Sequence, residues 1–319
     1  MKANGTCVGF FYTLKVLKTA DVIEVRNLEV LAKSLMEGFL TGLHKSPFHG
    51  YSVEFAEYRN YIRGDSFRHV DWKLYGRTEK LFVKKFDDET NLRVTLMLDF
   101  SGSMKYAPEQ FSKLDLCVPL IVGLLKIFQK QRDAFQLKSF SDHLIAETEL
   151  KSTYHHFLRS LGVLENWVAD AKGSVGQKTQ LAKSLDELVP KLAKRSLIIL
   201  FSDGLLSEDV ADLRSVFGKV QHYGHELVWI QPVFEKQELE FHLPNRPLKL
   251  VDLETGTEVK TTPGDWEADA RQIMGAKQKE LAELLISFGV EHHYLDLEDD
   301  LNSLFIKVLR KREKLLSKK

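Results

Sequence analysis

From residue 93 onward the chain alternates short apolar runs with amphipathic helical patterns, and few folds accept that alternation. VTLML at 94–98, FQLKSF at 135–140 and SLIILFS at 196–202 are bounded by polar turns and rich in Val, Ile, Leu and Phe. Such runs suit strands buried on both faces, the condition of a parallel sheet. Between and after them the pattern predicts helices over 114–128, 179–192, 209–222 and 265–288, strands near 226–231 and 290–297, and a terminal helix from Asp299. Pro119 requires the first of these helices to kink or to begin close by. Strands separated by helices of this length are joined by right-handed crossovers, so the expected fold class is α/β with a doubly wound, mostly parallel sheet.

Upstream the texture differs. Residues 1–18 show no periodicity and form a variable arm. Leu28, Leu31, Leu35, Phe39 and Leu43 recur at spacings of three and four, which predicts an amphipathic helix that docks. Residues 46–92 are rich in aromatics, Arg and Gly, and are expected to be irregular with short strands, LFVKKF at 81–86 being the clearest. The expected division is therefore an arm (1–18), an extension of helix plus β segment (19–92), and an α/β domain (93–319) interrupted by a hairpin-like insertion over 235–263, where Pro244, Pro247 and Glu254-Thr255-Gly256 break the pattern.

Composition matters here mainly by exclusion. The 45 Lys and Arg balance the 45 Asp and Glu, so no global field attracts nucleic acid. The basic end RKREKLLSKK follows DLEDD and reads as a solvated helix terminus. No run reaches the roughly 18–20 apolar residues of a membrane-spanning helix, and Lys15 interrupts the apolar stretch near the N-terminus. Two distant cysteines, Cys7 and Cys117, argue for a reducing compartment, and a cytoplasmic location is expected.

The chemistry concentrates in LDFSGSM. It places Asp99 at the carboxyl end of a buried strand with Ser101 and Ser103 at alternate positions behind it, where α/β sheets bind ligands. A carboxylate and two hydroxyls on one loop form a hard oxygen set suited to Mg2+ or Mn2+. FSDG puts Asp203 at a later strand end, and Thr179 opens a helix between them.

These five residues, Asp99, Ser101, Ser103, Thr179 and Asp203, resemble the metal-ion-dependent adhesion site of von Willebrand factor A domains, which have a Rossmann-type doubly wound fold. The resemblance implies a bound Mg2+ or Mn2+ whose last coordination position is filled by an acidic group of a partner. The upstream segment VEFAEYRNYIRGDSFRHVDWKLYGRTEKLFVKKFDDE resembles the signature of the bacterial domain-of-unknown-function 58 (DUF58) family, through Arg59, Tyr61, Gly64, Asp65, Arg68, Asp71, Trp72 and Arg77. That likeness runs from about residue 17 to the C-terminus. It implies an interaction or chaperone-like factor working with a MoxR-type AAA+ ATPase. Where relatives have an acidic residue followed by Pro after the fifth core strand, this chain has Glu235-Lys236.

Plainer readings bound these expectations. Arg59, Arg63, Arg68 and Arg77 beside Asp65 and Asp71 form either a partner surface or, the favoured reading, an internal ion-pair network. Trp72 is expected to anchor packing. His155-His156, His222, His225 and His292-His293 lack matched ligands at metal spacing. Cys117, in an apolar helix, is expected to be inert. No phosphate-cradling glycine loop occurs, and no His or Lys stands by sequence beside Asp99 to act as a general base. The expectation is therefore a non-enzymatic, metal-dependent interaction module without nucleic-acid binding. A metal-assisted phosphoester hydrolase or phosphotransferase, and a metal-free scaffold, are the alternatives.

Overall fold

The computed structural model describes residues 28–29, 55–61, 70–86, 92–108, 111–173, 179–204, 210–241, 244, 246–253, 256–262, 264 and 266–297. The expected arm, most of the first helix and the terminal helix lie outside these residues. Leu28 and Glu29 are helical; Leu28 joins the main core, and Glu29 Oε1 accepts from Tyr154 Oη at 2.5 Å.

A six-stranded sheet organises the fold. It comprises β3 (Arg93–Asp99), β4 (Ala134–Phe140), β5 (Leu144–Glu147), β6 (Leu197–Phe201), β7 (Glu226–Val233) and β10 (Glu291–Asp296), in the spatial order β10-β7-β6-β3-β4-β5. All neighbours run parallel except β4 and β5. The pleat sends alternate side chains to opposite faces. Val94, Leu96 and Leu98 of β3, with Leu197, Ile199 and Phe201 of β6, enter a core shared with α2 (Lys113–Gln131) and α3 (Tyr154–Gly173). Met97, Ile198, Leu200 and Trp229 enter a second core with α4 (Leu181–Leu188), α5 (Val210–His222) and α6 (Glu267–Ser287). Burial on both faces explains why these strands read as continuous apolar runs. The chain starts this sheet at β3, builds outward through β4 and β5, then returns to β6 on β3's other side. Loops leaving β3 and β6 therefore diverge and leave a crevice at the carboxyl edge of these two strands.

Outside this sheet, β1 (Phe55–Asn60) pairs antiparallel with β2 (Phe82–Phe86) around the short helix α1 (Trp72–Thr78). A second antiparallel pair, β8 (Leu248–Val251) and β9 (Glu258–Thr261), precedes α6. No helix among the described residues is long and apolar enough to cross a membrane.

Several expectations need correction. The sequence reading leaves 141–178 unassigned, yet this stretch holds β5 and the whole of α3, whose Phe157, Leu161, Leu164 and Ala171 are buried at helical spacing. The helix expected over 179–192 ends at Leu188 with a 3-10 turn over Val189–Lys191, and Pro190 explains the break. Pro119 lies in the second turn of α2 and withholds the N–H that would reach the Asp115 carbonyl. Trp72 is no packing anchor: it is 58% exposed and meets Tyr75 edge-on, with ring centroids 6.1 Å apart. The cause is local. Asp71 caps α1, accepting from Lys73 N at 3.0 Å and Leu74 N at 3.1 Å, and the helix it starts buries none of its residues.

Candidate functional site

Asp99 ends β3 with its side chain fully buried. One carboxylate oxygen accepts from Ser101 N at 2.8 Å, an Asx turn that bends the chain sharply off the strand, and the other accepts from Ser202 Oγ at 2.6 Å. Ser202 follows β6, so this contact spans the crevice where strand order reverses. The turn at Gly102 then brings Ser101 Oγ to 3.1 Å from Ser103 Oγ, and Ser103 Oγ donates to Asp203 Oδ1 at 3.2 Å. Asp99, Ser101, Ser103 and Asp203 thus form one continuous buried set of oxygen atoms.

The loop carrying Asp203 is held from β7. Trp229 Nε1 donates to Ser202 O at 2.8 Å, and Gln231 Nε2 donates to Asp203 O at 2.7 Å. His292 Nε2 stands 2.8 Å from Gln231 Oε1, which fixes the amide's orientation. Gly204 has φ +69°, and a Cβ there would stand 3.0 Å from Gln231 Nε2, so the turn after Asp203 requires glycine.

Thr179 is also buried, two residues ahead of α4 rather than at its first turn. The next residue, Gln180, donates its N–H to Ser141 O at 2.8 Å. Ser141 follows β4, whose last residue pairs with Asp99. Thr179 therefore sits at the same carboxyl edge of the sheet, on the β4 side of the crevice.

Three participants escape sequence reading. Ser202 adjoins Asp203 and was legible only as part of FSDG. Lys113 is the first residue of α2, and Glu238 lies in a single π-helical turn over Glu235–Leu239. The Lys113 ammonium is 2.7 Å from Asp203 Oδ2 and also pairs with Glu238 Oε1, with its side chain only 1% exposed. Glu238 is fixed by Phe234 N, which donates to its Oε2 at 2.8 Å. Nothing in the sequence links positions 113, 203 and 238; only the crossing of α2 behind β3 and β6 does. The lysine absent beside Asp99 in the sequence thus stands beside Asp203.

Electrostatics follow from this burial. Desolvation, reinforced by the nearby Asp203 carboxylate, pushes Asp99 up to about 7. Burial works to lower Lys113, but Asp203 and Glu238 outweigh it and hold the ammonium above the ordinary lysine range. Burial pushes the Cys117 thiol well up, consistent with an inert side chain.

Other candidates have local roles or lie outside the described residues. His156 Nε2 is 3.1 Å from Phe135 O, His225 Nδ1 accepts from Ser196 N at 3.2 Å, and His293 Nε2 is 2.6 Å from Glu291 Oε1. Of the upstream signature, Gly64, Asp65 and Arg68 lie outside the described residues. Arg59 is placed in β1 by its backbone, Tyr61 N donates to Leu81 O at 3.0 Å, Asp71 caps α1, and Arg77 lies exposed in the last turn of α1.

A family described as "Protein of unknown function DUF58" matches residues 57–280, spanning both the β1–β2 segment and most of the six-stranded sheet. The chain belongs to the DUF58 family. Uncharacterized proteins of Mycobacterium tuberculosis and Mycobacterium bovis are each 25% identical to it over 186 residues, 57% of this chain and 56% of theirs. The match thus spans little more than half the length of these relatives. Among solved structures, a von Willebrand factor type A protein from Catenulispora acidiphila aligns with a TM-score of 0.32 and 14% identity, over 45% of this chain and 34% of that one. An uncharacterized membrane-spanning protein from Vibrio fischeri aligns with a TM-score of 0.23 and 17% identity, over 68% of this chain and 96% of that one.

Proposed function

We propose that this DUF58 chain is a divalent-cation-dependent protein-interaction module on a doubly wound sheet of von Willebrand factor A type. The observation that carries the reading is the buried set Asp99, Ser101, Ser103 and Asp203, gathered where strand order reverses. The donor set fits a hard cation: its atoms are carboxylate and hydroxyl oxygens, and burial, reinforced by the neighbouring Asp203 carboxylate, leaves Asp99 short of compensating positive charge. In this reading Asp99, Ser101 and Ser103 hold Mg2+ or Mn2+, with Asp203 and Thr179 supporting them, and the bound ion supplies positive charge for an acidic side chain of a protein partner. A MoxR-type AAA+ ATPase is the partner that the family resemblance offers.

Thermal melts of wild type and Asp99→Ala in EDTA, Mg2+ and Mn2+ test this. An ion at about 50 times its dissociation constant stabilises the native state by about 2.3 kcal/mol, a few degrees for a chain of this size. The expected result is a shift in wild type alone, together with ion-dependent capture of the ATPase. Equal capture by Asp99→Ala in EDTA would sink the proposal, as would the absence of any ion-dependent shift with and without the ATPase.

A further inference from the structure

A lysine buried to 1% at the first residue of a helix is costly twice over. Its charge is removed from water, and it stands at the positive end of the helix dipole. α2 does not need it as a cap, because Ser112 and Asp115 already form a capping box. Lys113 instead donates to Asp203 Oδ2 while Ser103 holds Asp203 Oδ1, so both oxygens of that carboxylate are engaged. On its other side Lys113 pairs with Glu238, and the ring of Tyr106 lies 5.9 Å from the ammonium. Tyr106 packs edge-on against Phe234, whose N–H holds Glu238, which closes this side of the crevice with aromatic wall.

We propose that Lys113 is a resident cation that sets the affinity of the site for divalent ions. The inference rests on the metal reading above. The ammonium offsets the charge of Asp203 and repels a second cation placed among Asp99, Ser101 and Ser103. Glu238 moderates this by drawing part of the ammonium's charge away from Asp203. Lys113 therefore keeps ion binding weak until another acidic group joins the site, and Glu238 sets how firmly it does so. Lys113 is here a positioning and affinity-setting residue, not a ligand.

The test is Mn2+ binding to the full chain, followed by the electron paramagnetic resonance signal of the free ion, with circular dichroism melts in EDTA to establish that each variant folds. Lys113→Met should tighten Mn2+ binding by at least about tenfold, the scale of one unit charge at close range in a partly buried site. Glu238→Gln should weaken binding, because Lys113 then answers to Asp203 alone. Lys113→Met combined with Glu238→Gln leaves one fewer unpaired buried carboxylate and provides a folded variant if the single change does not fold; it should also bind more tightly than wild type. Wild type that binds Mn2+ with an affinity unchanged or weakened in both Lys113 variants overturns this inference and leaves the metal reading standing. Failure of every protein, the Lys113 variants included, to bind Mn2+ while folded and at millimolar ion overturns this inference, and the same failure with the ATPase present overturns the metal reading as well.

Discussion

Asp99 is the residue on which the candidate site turns, and its environment is hostile to its charge. It is fully buried and shares the crevice with Asp203, and its pKa rises from 3.8 to about 7. In the absence of a cation this arrangement opposes folding. As pH rises, the unfolded chain releases the proton near 4 while the folded protein retains it to about 7, so the penalty grows across that window and is complete above it. Asp99→Asn removes the charge while preserving shape. In EDTA it should raise stability at pH 8 by on the order of 1 kcal/mol, with the gain shrinking as pH falls through 7 towards 4. Urea melts at several pH values check this, and a variant less stable than wild type at pH 8 would show that the Ser202 and Ser101 contacts outweigh the charge. Legibility at this scale was uneven. Asp99, Ser101 and Ser103 announce themselves because they share one loop, whereas Lys113 and Glu238 are separated from Asp203 by 90 and 35 positions and meet it only in space.

Elements carry these residues to the crevice, and α2 has the most exacting task. Its start is fixed by Ser112 Oγ, which accepts from Asp115 N at 3.2 Å, while Asp115 Oδ2 accepts from Ser112 N at 3.2 Å. Ser112→Ala should cost about 1 kcal/mol, lowering the melting temperature by about 2–3 °C, and Ser112→Asp should recover most of it. Because Lys113 is the next residue, fraying there frees the ammonium, so Ser112→Ala should also alter Mn2+ affinity where Ser112→Asp does not. The Ser-Lys-Leu-Asp start has the spacing of a capping box, a local signal that the sequence reading, which begins this helix at 114, leaves unused. The absence of α3 from the sequence reading is of the same kind. Phe157, Leu161, Leu164 and Ala171 keep a helical period, and Leu158, Trp167 and Val168 pack against the same core, so the helical signal was present in the sequence and went unread. Trp72 is misread for the opposite reason: its size suggests burial, whereas the cap at Asp71 launches α1 across the surface.

At the scale of the whole molecule, stability is concentrated in the sheet's interior. β3, β6 and β7 have both faces covered and neighbours on both sides, so their amides should exchange with solvent only near global unfolding. β8 and β9 form a separate pair whose Leu250, Val251 and Val259 are exposed, and an isolated two-stranded pair is marginal in water. Native-state hydrogen exchange should therefore find β8 and β9 exchanging orders of magnitude faster than β6. Comparable protection in the two would mean that another surface covers the hairpin.

The sequence by itself determined the layered α/β class, most strands of the parallel sheet and the positions of Asp99, Ser101, Ser103 and Asp203 at strand ends. Those properties are periodic or local: a strand buried on both faces must be apolar throughout, and a turn off a strand favours Asp and Ser. Tertiary structure alone decided that β6 returns beside β3, and this return brings Ser202 onto Asp99 and Asp203 onto Ser103. It also decided that Lys113 and Glu238 join the same crevice. The physical reason is that strand order and helix crossing arise from the packing of distant apolar faces, and nothing in the spacing of charged residues along the chain records which of them that packing will bring together.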